Sequence, residues 1–334
     1  MVELKVVFLG TPGWYLHVKN GVAIAENKSQ NVKIELSAAT CDTVIISTSR
    51  ASFTSALVRN LASQGIDLVF LDRYGNPVGR LWSPLVNKTV ATRRAQYEAM
   101  ISGKGLRVAT RIVICKLRNQ AAVLRYFAKS RRMPELRDES YVIDGIADEL
   151  QSKLEAQEKL DPSEILEVEA WAARRYWSNI AAYLVPEEFG FTGRKQESTD
   201  PLNLALNYGY GILRAAVERA LILVGLDPYG GFLHAEKSGK ETLVFDFMEQ
   251  FRPVAVDRPL IANLSRMKLE VIRGFLSYES RRQVAAVVLE TFNTPHVYGK
   301  RKRLLHEIIR EEAARLASYL RGSRPEYEGY RAWW

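Results

Sequence analysis

At 334 residues the chain is longer than one average core allows, which predicts two domains. With 47% hydrophobic and 25% charged residues it is a folded globular protein, not a disordered or fibrous one, and no apolar run approaches the roughly 18 residues of a membrane span. Lys plus Arg number 47 against 38 acidic residues, a net charge of +9, which admits a polyanionic partner such as nucleic acid because each neutralised phosphate releases counterions.

The opening "MVELKVVFLG" carries an acid at once and only a short apolar run, so it reads as a strand and not a signal peptide. Further short β-rich runs follow to about residue 85: "GVAIAE", "VKIEL", "TVIIS", "DLVFL" and "PVGRLW", separated by turn residues such as "NKSQN" and "DRYGNP". One helix interrupts them. In "ASFTSALVRNLASQG" Phe53, Leu57 and Leu61 recur four apart, and Gly65 closes the helix. From about residue 90 the period becomes 3.6. Residues 111–127, 162–184, 201–224 and 301–322 all read as helices. Asp161-Pro162 and Asp200-Pro201 each place an N-cap acceptor before a proline at the first helical position. The fold class expected is α+β: a small N-terminal β-rich, β-sandwich-like domain (1–85), a linker (86–94), a larger all-α helical catalytic domain (95–322) and an aromatic tail (323–334). Cys41 and Cys115 form neither a disulfide framework nor a zinc pattern, which points to a reducing, cytoplasmic location.

Two groups of cations mark the helical part: Arg107, Arg111, Lys116, Arg118, Arg125, Lys129, Arg131 and Arg132, and the run "KRKR" at 300–303. Solvated helix faces account for such runs without any ligand. The tail "RPEYEGYRAWW" has more aromatics than a loose terminus needs, and docks either on a partner or on its own body.

Candidate chemistry comes from three places. In the helix from Pro162, Ile165, Ala172, Tyr176 and Ile180 form an apolar stripe with Glu169 inside it, whereas Glu164 and Glu167 are readily placed toward water. An inward carboxylate is costly unless a cation, a metal or hydrogen bonds compensate it, so Glu169 is either paired with an arginine or functional. His234 ends "PYGGFLH", where glycines let the backbone bend and approach something closely; it is either a metal ligand or a packed histidine. Asp246 and Glu249 lie three apart and share a helix face. That face is either a second ligand group or, with Thr242 and Gln250, the wet side of an amphipathic helix. Together Glu169, His234 and Asp246/Glu249 make a mixed nitrogen and oxygen set suited to manganese or magnesium. A phosphate loop, a dinucleotide fingerprint and a "GxSxG" elbow are all absent from the sequence.

At these residues the chain resembles the integrase of CRISPR adaptation, CRISPR-associated protein one. "VEAWAARRYW" is similar to that family's glutamate segment, "GRKQESTDPLNLALNYGYGIL" to its R…D-P-x-N…L-x-Y-x-Y stretch, and "GLDPYGGFLH" and "LVFDFMEQFRP" to its histidine and acidic segments, in the family order. "KLRNQ" at 116–120 and residues 53–81 match as well. Two departures stand out: Ala170 replaces a usual glycine, and "QEST" at 196–199 is less basic and lacks a proline. Neither removes a ligand.

The resemblance implies a catalytic set of Glu169, His234, Asp246 and Glu249, with Glu169, His234 and Glu249 as ligands of Mn2+ or Mg2+. It also implies DNA contacts by Arg174, Arg194, Lys195 and Arg252. The implied activity is that of a metal-dependent endonuclease and strand-transfer integrase in antiviral defence, in which a free 3′-hydroxyl of a short duplex attacks a phosphodiester of the repeat. Implied partners are double-stranded DNA, a second copy in a homodimer and CRISPR-associated protein two, with no membrane. Because a histidine binds metal only when neutral, activity is expected to fall below the histidine range of pH. The rival readings are a basic scaffold without catalysis and a hydrolytic nuclease on the same site.

Overall fold

The computed structural model describes residues 6–83, 90–233 and 239–333. The start of the first predicted strand, the segment 84–89 with the first four residues of the expected linker, His234 and the final Trp334 lie outside the described residues.

The strand-rich region holds β1 (Val6–Leu9), β2 (Trp14–Lys19), β3 (Val22–Asn27), β4 (Val32–Leu36), β5 (Thr43–Ile46), β6 (Ala51–Phe53), helix α1 (Ser55–Ser63), β7 (Asp67–Leu71) and β8 (Pro77–Leu81). They form two four-stranded sheets, in the orders β1-β5-β7-β8 and β4-β3-β2-β6. In the first, β1, β5 and β7 run parallel and β8 is antiparallel to β7. The runs "VII" of β5 and "LVFL" of β7 are continuously apolar because this sheet is covered on both faces. Val44, Ile46 and Leu68 enter a small core with Leu16, Leu36, Leu57 and Leu61, while Ile45, Val69 and Leu71 enter the main core of the helices.

Two strands of this region escape the sequence reading. In β2 Trp14, Tyr15 and Leu16 alternate buried, exposed and buried. Residues 51–53, read as the first helical turn, pair instead with β2 as β6. The helix starts only at Ser55, where the Thr54 side chain accepts a hydrogen bond from the Leu57 N–H.

The mostly helical region runs through α2 (Val90–Ile101), α3 (Lys104–Arg131), α4 (Pro134–Glu155), α5 (Pro162–Tyr183), α6 (Pro201–Leu223), α7 (Thr242–Met248), a π-helical turn (Pro253–Asp257) and α8 (Arg258–Asn263). A ribbon of β9 (Val271–Ile272) and β10 (Phe275–Leu276) precedes α9 (Tyr278–Phe292). A second ribbon of β11 (Pro295–Tyr298) and β12 (Arg301–Leu304) leads into α10 (Leu305–Leu320). The helix expected over 301–322 is thereby corrected: Arg301, Lys302 and Arg303 pair across a hairpin, and the helix starts at Leu305. Asp161 and Asp200 cap α5 and α6 through the Ser163 and Asn203 N–H groups, each at 2.8 Å. Among the described residues no helix is long and apolar enough to cross a membrane.

Helix α6 joins the two regions, and its "YGYG" segment explains itself there. A Cβ added at Gly211 would lie 1.7 Å from the Gly75 carbonyl oxygen, so the turn at 72–76 seats directly on the helix backbone. Around it, buried Asp67 pairs with Arg80 at 2.9 Å and Arg219 at 2.6 Å, and Arg80 reaches Glu218 at 2.9 Å. Part of the expected basic flank is internal as well: Arg118 and Arg125 of α3 both bind Asp144 of α4.

Candidate active site

Glu169 faces inward on α5 with Ile165, Ala172, Tyr176 and Ile180, all buried. Its partner is not the expected arginine. The Lys116 Nζ of α3 donates to Glu169 Oε1 at 2.6 Å and stands 2.6 Å from Glu249 Oε2. Burial works against the Lys116 ammonium, but the Glu169 and Glu249 carboxylates outweigh it and hold its pKa above the usual lysine range. The lysine is therefore charged at all ordinary pH. It lies four residues after Ile112 and four before Gln120, inside the buried stripe of α3, and that spacing is the signal that could have marked it as an inward-facing cation.

Asp246 and Glu249 take different jobs. Asp246, on α7, accepts from the Phe232 N–H at 2.6 Å and the Leu233 N–H at 3.0 Å, so it holds the backbone immediately before His234. Beside it, Thr242 accepts from the Gly231 N–H at 2.9 Å and donates to the Tyr229 carbonyl at 2.6 Å. Glu249, at the end of α7, turns toward Lys116 and pairs with Arg252 at 2.8 Å. Thr242, Asp246, Glu249 and Gln250 are all buried, which rules out a wet helix face.

Next to the carboxylates the Tyr210 ring carries two guanidiniums, Arg252 with its centre 4.9 Å from the ring centroid and Arg194 at 5.3 Å. Arg194 also donates to Asn203 at 2.9 Å, and the same Asn203 oxygen accepts from the Lys195 N–H at 2.9 Å. The Lys195 and Arg174 side chains are exposed. Beneath the ring, Asp257 accepts from the Tyr210 hydroxyl at 2.6 Å and the Tyr176 hydroxyl at 3.2 Å. Burial pushes the Asp257 carboxyl up to about 7. Asp257 and its two tyrosines did not figure among the candidates; an aspartate inside the apolar run "PVAVD" was the available sign.

The structure thus brings Glu169 and Glu249 together on one ammonium, with Arg252 and Arg194 alongside, and sets Asp246 at the base of the segment leading to His234. Among the described residues no three His, Cys, Asp or Glu side chains converge as a metal cluster, and His234 lies outside them.

This arrangement, a strand-rich region seated on a helical bundle with a buried acidic centre, has the fold of a casposase bound to its integration product, at a TM-score of 0.82 and 24% identity, covering 97% of this chain and 92% of that one. A CAS1 protein from Thermotoga maritima shares it at a TM-score of 0.76 and 21% identity, over 95% and 97% of the two chains. The family model described as CRISPR associated protein Cas1 matches residues 7–289. A CRISPR-associated endonuclease Cas1 from Hyperthermus butylicus is 39% identical over 332 residues, 96% of this chain and 97% of the relative. The chain belongs to the Cas1 family.

Proposed function

We propose that this chain is a divalent-metal-dependent DNA integrase and endonuclease of CRISPR adaptation, joining the 3′-hydroxyl ends of a short duplex to the repeat by transesterification. The observation that carries this reading is the pair of buried carboxylates, Glu169 and Glu249, on either side of one ammonium nitrogen at 2.6 Å each. Their oxygens lie no more than about twice that distance apart, within reach of a common ion. Lys116 stands in for positive charge at that spot, which is the fit expected of a cation site built from hard oxygen donors. Glu169, Glu249 and His234 would hold Mn2+ or Mg2+, which when bound supplies Lewis-acid polarisation of the attacked phosphodiester.

The chain's own groups do the rest. Asp246 fixes the backbone at Phe232 and Leu233, ahead of His234, and so ties that stretch to the helix that ends at Glu249. Arg252 and Arg194 present positive charge on the Tyr210 face, where a phosphate can be held without reading the base sequence. Exposed Arg174 and Lys195 extend that basic surface toward the duplex. A homodimer working with CRISPR-associated protein two in the cytoplasm is the assembly that family membership supports.

A branched DNA substrate tests the reading, because strand transfer rejoins strands whereas hydrolysis only shortens them. Manganese-dependent joining is expected from the intact chain and none from His234→Ala. Joining that persists in that variant refutes the site.

A further inference from the structure

The aromatic tail docks on its own body, and it does so on the two segments that carry the carboxylate-binding lysine and the acidic end of α7. Tyr327 and Tyr330 are buried, and the Tyr330 ring stacks on Phe251 with centroids 5.3 Å apart. The Tyr330 N–H donates to the Gln250 side-chain oxygen at 2.7 Å, and Gln250 donates to the Tyr327 hydroxyl at 3.1 Å. Asn119 donates to the Tyr330 carbonyl at 3.0 Å and to the Gln250 carbonyl at 2.7 Å, and accepts from the Ala332 N–H at 2.8 Å. Gln250 directly follows Glu249, and Asn119 lies one turn after Lys116.

We propose that residues 327–332 act as a strap that sets the distance between α3 and the acidic segment, making Asn119, Gln250 and Tyr330 positioning residues for Glu249 and Lys116. This rests on the integrase reading of the site. The physical reason is the isolation of the two carboxamides: both are fully buried, and the tail supplies two of the three groups bonded to Asn119. With the strap gone Asn119 loses two of its three partners and the Gln250 side-chain oxygen loses both of its donors, a loss that buried amides avoid by moving. Any such movement carries Glu249 with Gln250. Among the described residues the Tyr330 hydroxyl is buried without a hydrogen-bond partner, so the ring and backbone of that residue hold the strap and its oxygen does not.

The test uses the full-length chain with Tyr327→Ala and Tyr330→Ala together. Strand joining at saturating DNA is expected to fall about tenfold or more, as misplacement of reacting groups does, with the DNA concentration for half-maximal rate unchanged. Hydrogen exchange at 243–252 is expected to quicken. A synthetic peptide of residues 325–334 restores both, and Tyr330→Phe alone loses neither. Should the double variant fail to fold, Ala332→Pro, which removes the N–H that Asn119 accepts while leaving both tyrosines in place, shifts both readouts in the same direction. Unchanged joining overturns the strap, and so does slower joining with exchange at 243–252 as in the parent. If the intact chain joins no strands, the integrase reading falls, and exchange at 243–252 with and without the peptide alone decides the strap.

Discussion

Replacing Lys116 by methionine keeps its length and apolar stem and removes the ammonium that contacts both Glu169 and Glu249. The three side chains are 12%, 10% and 7% exposed, so water screens them little. Breaking a buried ion pair by removing one partner costs about 3–5 kcal/mol; Glu249 keeps Arg252 at 2.8 Å, so the loss falls mainly on Glu169. Unfolding entropy of about 2.1 cal/mol/K per residue implies that such a loss lowers the melting temperature by about 4–7 °C for a chain of this size. A divalent ion that takes the place of the ammonium should return much of this, about 2.7 kcal/mol at a hundred times its dissociation constant. Differential scanning calorimetry of Lys116→Met with and without Mn2+ checks both figures. In the triple variant that adds Glu169→Gln and Glu249→Gln, the response to Mn2+ should vanish. A Lys116→Met protein as stable as its parent, or one indifferent to Mn2+, refutes the argument that the two carboxylates form a cation site.

Gly211→Ala places a Cβ against the Gly75 carbonyl at 1.7 Å, and because backbone cannot yield as a side-chain tip can, the loss should reach about 3 kcal/mol or more, read as a lower denaturant midpoint. Asp257→Asn tests linkage. The folded carboxyl, raised to about 7, keeps its proton where the unfolded one has released it, so its contribution to stability falls as pH rises through the interval from the ordinary aspartate range to 7. The parent protein should lose up to about 1.4 kcal/mol per pH unit across that window from this group, and the asparagine variant should lack that slope in urea titrations at pH 5 and pH 8.

The strands and helices were legible where one periodicity ruled. Capped starts such as Asp161-Pro162 and Asp200-Pro201 are local events, and the structure places both helices on them. Residues 51–53 and 301–304 were misread because short strands are decided by the partner strand, here β2 and β11, and not by their own spacing. In the site, Glu169 was visible as a carboxylate out of place on an apolar stripe. Its counterion was not, because a lysine 53 residues away is brought over by the packing of α3 on α5. The separate duties of Asp246 and Glu249 were equally hidden. Three-residue spacing puts both on one face, but only the path of the chain at 229–233 sends one toward backbone amides and the other toward Lys116.

The seat of turn 72–76 on α6 has a mechanical consequence. Gly211 bears on that turn, and its chain neighbour Tyr210 bears the two guanidiniums and the Asp257 hydrogen bond. A single peptide bond therefore separates the fulcrum of the strand-rich region from the aromatic plate beside the carboxylates. With no soft spacer between them, tilting of that region on the bundle is transmitted to the plate instead of being absorbed on the way.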